Sequence, residues 1–141
     1  MLDNIAFYTM DNMWRGILTD LGATGTDFMS ADIIIDAGWA AVDLPMSMSE
    51  LKEKILADID CANSEIICAV FGRNADLPPV QMKIIRALSR AGADGLSAGD
   101  LRRVLGYSTD ANTHAADTAI YNLRRAFGAD VIRSENGKYK L

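Results

Sequence analysis

The side chains best suited to chemistry lie in residues 114–128, HAADTAIYNLRRAFG. On a helical wheel of 100° per residue, Ala116, Ile120, Leu123 and Phe127 fall in one narrow stripe. His114, Thr118, Tyr121 and Arg125 lie opposite, with Asn122 on the shoulder. These are hydrogen-bonding groups of varied length, suited to base edges and phosphates in a major groove. Alanines 115, 116 and 119 keep the helix slim enough for close approach. The free N–H groups at its start would face phosphate. An ordinary amphipathic helix with a solvated face gives the same wheel, so this stripe alone does not decide.

The next residues add weight. VIRS and KYKL flank Glu135-Asn136-Gly137, and Asn-Gly between such runs predicts a hairpin. Arg133, Lys138 and Lys140 put three cations on that ribbon, and Glu135 dilutes them. Other chemistries find no residues. The single histidine is His114, no Gly-rich phosphate loop follows a strand, and no Ser or Cys sits in a nucleophile motif. No catalytic residue, metal site or cofactor is expected. Cys61 and Cys68, seven apart and far from His114, make no zinc set and read as reduced, half-buried thiols.

The elements that must position these residues fall into two textures. Of the 141 residues half are hydrophobic, enough for one ordinary domain or two small ones. The formal net charge of −5 conceals an asymmetry. Residues 1–75 carry 4 Lys/Arg against 12 Asp/Glu, and residues 76–141 carry 10 against 7. Only the second part offers phosphate a favourable field. No apolar run approaches the roughly 18–20 residues that span a bilayer, and MLDNIAFYTMDNMW does not read as a signal peptide. A cytoplasmic protein with no membrane partner is expected.

In the first part, IAFYTM (5–10) reads as a strand and Asp11-Asn12 as the cap of a helix stopped by Gly22. ADIIIDAG (31–38) reads as a strand buried on both faces, and WAAVDLP (39–45) as another. SMSELKEKILADI (47–59) is an amphipathic helix with Ser49 as its N-cap, and SEIICAVFG (64–72) a further strand. Strands alternating with helices predict a small α/β layer with parallel pairing. RNADLPP (73–79) is the expected boundary, giving domains 1–75 and 76–141. Beyond it come a helix with Val80, Ile84, Ile85 and Leu88 inward, a second helix with Ser97 and Asp100 as a capping box, the polar loop STDANT, the helix at 114–127 and the hairpin.

That order carries a resemblance. LPPVQMKIIRAL, LSAGDLRRVLG, HAADTAIYNLRRAFG and the closing KYKL together resemble the DNA-binding domain of the OmpR/PhoB family of bacterial response regulators, over about residues 77–141. Asp117, Ile120, Leu123, Arg124, Tyr139 and Leu141 fall at family positions, whereas His114 replaces an Arg and Lys138 the wing glycine. The resemblance implies a winged helix-turn-helix that places helix 114–127 in the major groove of double-stranded DNA. His114, Thr118, Tyr121, Asn122 and Arg125 would then meet the DNA from the helix. Arg133, Lys138 and Lys140 would meet it from the wing, and Arg102 and Arg103 would contact phosphate. The alternative is a winged helix that binds RNA polymerase or another regulator, since STDANT is where family members are thought to touch polymerase.

The first part has receiver-like fragments. IAFYTMDN resembles the first receiver strand with its acidic tip, and GWAAVDLPMSMSELKEKI the last strand and helix. Receivers need clustered carboxylates for Mg²⁺ and a lysine beside the phosphoryl group. Asp11, Asp36 and Asp43 are candidate carboxylates, but Leu44 stands where the family has that lysine. The expected fold is therefore a small α/β, degenerate receiver-like domain followed by the winged helix-turn-helix. The implied function is a phosphorylation-independent, sequence-specific transcription regulator. Family receivers pair through their last strand and helix, so Trp39, Met46, Met48, Leu51 and Ile55 are the candidate homodimer contacts; filling the domain's own core is the competing use.

Overall fold

The computed structural model describes residues 2–36, 39, 46–108 and 112–141. Among these it is a mixed α/β protein of five α-helices and two three-stranded sheets. The order is β1 (Ala6–Thr9), α1 (Asn12–Asp20), β2 (Thr24–Gly25), β3 (Ile33–Ile35), α2 (Met48–Phe71), α3 (Pro79–Ala91), a 3₁₀ turn (Gly92–Asp94), β4 (Leu96–Ser97), α4 (Ala98–Val104), α5 (Ala115–Phe127), β5 (Arg133–Glu135) and β6 (Lys138–Lys140). No helix among the described residues is long and apolar enough to cross a membrane. The chain divides into two units, Met1–Ala62 and Asn63–Leu141.

In the first unit β1 lies between β2 and β3, parallel to both, which is the expected α/β layer. Asp32 extends the β1–β3 ladder: its Oδ2 accepts from the Ala6 N–H and its own N–H donates to the Ala6 carbonyl, both at 2.8 Å. Asp11 caps α1 by accepting from the N–H groups of Met13 (2.8 Å) and Trp14 (3.2 Å). The helix ends where Gly22 takes φ +94°, a conformation that costs a residue with a Cβ. Phe7, Ile33 and Ile35 of the sheet pack with Trp14 and Leu18 of α1, Leu21 at its C-cap, and Leu51, Ile55 and Ile59 of α2. Among the described residues β3 stands at the end of this sheet, and its Ile34 is only half-buried between the buried Ile33 and Ile35, so the strand is not buried on both faces as expected. The strand expected at 39–45 lies outside the described residues except for Trp39.

Helix α2 corrects two expectations. Its cap is Ser47, not Ser49: the Glu50 N–H donates to Ser47 Oγ (3.1 Å) and the Ser47 N–H donates to a Glu50 carboxylate oxygen (3.3 Å). The strand expected at 64–72 does not form, because the helix continues through it to Phe71. No glycine or proline interrupts residues 48–71, and extending a formed helix costs far less than starting a new element. The division into two compact units falls inside α2, between Ala62 and Asn63. The continued helix leaves Cys61 and Cys68 exposed rather than half-buried.

The second unit is built on α3, whose Met82, Ile84, Ile85, Ala87 and Leu88 are buried. Val80, expected inward, is 42% exposed, since it sits in the first turn beside Pro79. Arg86 is buried at 4% exposure and donates to the Asn63 side chain (3.1 Å). Leu101, Val104, Ala116, Ile120, Leu123 and Ile132 complete the core. β4 pairs with β6, and β6 with β5, all antiparallel. Gly95 has φ +66°, and a Cβ there would meet the Tyr139 carbonyl oxygen at 2.5 Å, so only glycine lets these strands approach. The predicted turn is present, with Asn136 at φ 53° and Gly137 at φ 76°.

The capping box of α4 forms as expected: the Asp100 N–H donates to Ser97 Oγ and the Ser97 N–H to Asp100 Oδ2, each at 3.1 Å. These hydrogen bonds with Ser97, and then the nearby Arg103 and Lys138, hold the Asp100 carboxyl below its ordinary value. A depressed pKa adds stability above the unfolded value, and that stability is lost as pH falls through the folded value. Ser97→Ala is expected to cost about 1 kcal/mol in urea unfolding at pH 7. Asp100→Asn should destabilise at pH 7 by more than it does at acid pH, where Asp100 is itself protonated.

Candidate nucleic-acid interface

The structure holds α5 by its predicted stripe. Ala116, Ala119, Ile120 and Leu123 are buried, and Phe127 stacks on Phe71 with ring centroids 3.9 Å apart. The Arg73 guanidinium lies 5.0 Å from the centroid of the Phe127 ring, so the end of the helix is fixed by an aromatic pair and a cation. The opposite face is open: Thr118, Tyr121, Asn122 and Arg125 are exposed, Tyr121 at 63%. Arg125 has no hydrogen bond or ion pair among the described residues. His114 is also exposed, but its Nδ1 lies 3.6 Å from Asp117 Oδ2, and the first N–H of α5 is capped instead by Thr113 Oγ1 (3.3 Å).

The hairpin is attached to this helix through Arg124. Its Nε and Nη2 donate to the Ile132 carbonyl at 3.0 and 2.7 Å, and Nη2 also donates to Ser134 Oγ at 3.0 Å. Its guanidinium lies 5.8 Å from the centroid of the Tyr139 ring. Of the two consecutive arginines, Arg124 thus serves the fold and Arg125 faces solvent. Their 100° separation on the helix puts one beside the buried Leu123 stripe and the other outside it. Sequence reasoning did not assign Arg124 this role, and the available signal was its place on the shoulder of the apolar stripe.

The hairpin cations are less available than their number implies. Glu135 lies between Arg133 (3.5 Å) and Lys140 (3.1 Å), and these two cations hold its carboxyl below the ordinary value, the Lys140 hydrogen bond most of all. Arg133 also donates to the Leu141 carbonyl (3.2 Å). Lys138 is exposed at the turn. On α4, Arg103 pairs with Asp100 (3.2 Å), while Arg102 is half-buried and already engaged. Residues 109–111 of the STDANT loop lie outside the described residues, and Tyr107 just before it is exposed. Redrawn on the observed division, residues 63–141 carry 11 Lys/Arg against 8 Asp/Glu, and residues 1–62 carry 3 against 11.

The candidate dimer contacts are mostly used within the first unit. Leu51 and Ile55 are buried in its core, the competing use that the sequence left open. Trp39 and Met46 pack against the same core. The Trp39 indole N–H donates to Asp58 Oδ2 (2.6 Å), and its ring meets Trp14 edge to face at 5.1 Å. Met48 alone of the five is exposed. Of the candidate carboxylates, Asp43 is outside the described residues, and no three His, Cys, Asp or Glu side chains gather among those described.

No family model, curated protein or solved structure matches the chain. The site's chemistry therefore rests on its own geometry. Arg124→Ala is expected to free the hairpin from α5: amide hydrogen exchange at Ile132–Tyr139 should quicken while α3 stays protected. The loss in stability should be about 1–3 kcal/mol. Unchanged exchange in the hairpin would show that Arg124 does not hold it.

Proposed function

We propose that the chain is a sequence-specific DNA-binding transcription regulator whose second unit is a winged helix-turn-helix. The observation that carries this reading is the exposed face of α5, where an unpaired Arg125 stands with Thr118, Tyr121 and Asn122 on a helix pinned to a cationic hairpin. Such a face offers donors and acceptors to base edges in a major groove, with the hairpin at the backbone or the adjacent minor groove. The succession α3, β4, α4, α5, β5, β6, with β4 closing the hairpin sheet, supports the winged arrangement. The first unit is read as a shortened receiver-like domain that works without phosphorylation. Its parallel sheet, with α1 between β1 and β2, supports that. On this reading the protein acts as a homodimer in the bacterial cytoplasm.

A second reading has its own observation. Arg103, Arg133 and Lys140 are each paired with a carboxylate, which lowers the charge the unit offers to phosphate. A winged helix so neutralised suits a protein partner such as RNA polymerase or another regulator.

Selection from random duplexes at about 150 mM salt separates the two, because weak non-specific contacts fade there. Enrichment of a defined motif is expected, and a folded protein that enriches none favours the protein-binding reading. On the selected site, Arg125→Ala and Tyr121→Ala should each cost about 1–3 kcal/mol and relax specificity. Unchanged affinity in both would remove α5 as the reading face. Glu135→Gln should tighten binding to all duplexes alike and steepen its salt dependence, since it frees Arg133 and Lys140 for phosphate.

A further inference from the structure

The first unit's sheet has a second face. Phe7, Ile33 and Ile35 turn into the core, so alternation sends Tyr8 and Ile34, opposed in register, to the other side. At the carboxyl ends of β1 and β3 that face borders a cavity of about 560 Å³, lined by Tyr8, Met10, Phe28 and Ile34 with Asp11 and Asp36. The volume is that of a small-molecule site, roughly 300–1,000 Å³. Its place is also one where ligands bind: from β1 the chain goes to one side for β2 and returns on the other for β3. Open parallel sheets bind ligands outside their carboxyl ends at such a reversal.

The lining names a chemistry. Tyr8 and Phe28 meet edge to face, centroids 5.7 Å apart and planes at 89°, and form a right-angled aromatic corner. Met10 is 85% exposed and Phe28 44%, so large apolar surface there remains in water for a ligand to cover. The adaptable Met10 thioether can fit ligands of varied outline. Asp11 and Asp36 each use Oδ1 on backbone N–H groups, those of Met13 and Trp14 and that of Trp39 respectively, and their Oδ2 atoms have no partner among the described residues. The nearby Arg15 does not neutralise them through an ion pair; its Nη2 donates to the Thr9 carbonyl (2.8 Å). The buried Thr9 hydroxyl makes the rim a fixed feature, donating to the Ile35 carbonyl and accepting from the Asp11 N–H, both at 3.1 Å.

We propose that this cavity binds a small organic cation, an alkylated ammonium on an apolar or aromatic body. Aromatic faces attract such cations, and the two carboxylates and the strongly acidic unit around them supply the charge. The largely apolar and aromatic lining, Tyr8, Met10, Phe28 and Ile34, favours an organic cation over a divalent metal, which is held by oxygen ligands and water.

The test is an NMR titration of the full chain with benzyltrimethylammonium, benzyl alcohol, benzenesulfonate and Mg²⁺ alone. Saturable shifts at Tyr8, Met10, Phe28 and Ile34 are expected with the ammonium, at least about tenfold weaker binding with the alcohol, and none with the sulfonate. The double variant Asp11→Asn/Asp36→Asn keeps a cap acceptor at both positions and should weaken the ammonium at least about tenfold with the thermal melt preserved. Phe28→Ala, at an exposed position, should do the same should the double variant fail to fold. The proposal is overturned by equal binding of alcohol and ammonium, by variants that fold and bind unchanged, by Mg²⁺ displacing the ammonium, or by no saturable shift at about 10 mM probe.

Discussion

The contact on which the second unit's surface depends is that between the Arg124 guanidinium and the Ile132 carbonyl. A three-residue-per-strand hairpin has little stability of its own in water. Here β6 gains a second neighbour in β4, and Arg124 anchors the segment entering β5 to α5. Two donors from one planar group onto one oxygen fix orientation as well as distance. The polar face of α5 and the cations of the hairpin are therefore held in one geometry, as the proposed DNA reading would need. Gly95 serves the same end from the other strand, because any side chain there would push β4 off β6.

Charge within that surface is distributed by local pairing rather than by composition. Glu135 faces Lys138 in register but bonds the diagonal neighbour Lys140, leaving the turn lysine outward. Asp100 draws Arg103 back onto α4, and Asp117 stands beside His114. Among the described residues of this surface, Arg125 and Lys138 are exposed and form no ion pair with a carboxylate. The exposed face of α5 is thus richer in neutral hydrogen-bonding groups than in charge; on the proposed DNA reading, such an arrangement favours discrimination over raw affinity.

What was legible in the sequence was local. The Ser97–Asp100 box, the Asp11 cap and the Asn136-Gly137 turn each depend on residues within three or four positions, and all three are present. The inward stripe of α5 was legible because its period is unambiguous over thirteen residues. IICAVF was not: a short apolar run fits a strand or a buried helical segment equally, and the helix already running into it decided the outcome. Leu51 and Ile55 show a different limit. Periodicity says that a face is apolar, not whether it meets its own core or a second chain. The cavity in the first unit was out of reach, since Phe28 joins Tyr8 only once β1 and β3 pair.

The acidic first unit need not count against the proposed DNA reading. At physiological salt, charges in solvent are screened within about 8 Å, so a phosphate responds to its immediate neighbours far more than to the chain's formal −5. Within the second unit those neighbours would be Arg125 and Lys138. Two open cations release few counterions, and one copy of such a surface gains little from the electrostatic component that dominates non-specific binding. Useful affinity on that reading comes from joining two copies on adjacent half-sites, where the second engagement is intramolecular. The constraint then falls on whatever joins the copies. Because Leu51 and Ile55 are committed to the core, that contact has to draw on surface outside the inward face of α2.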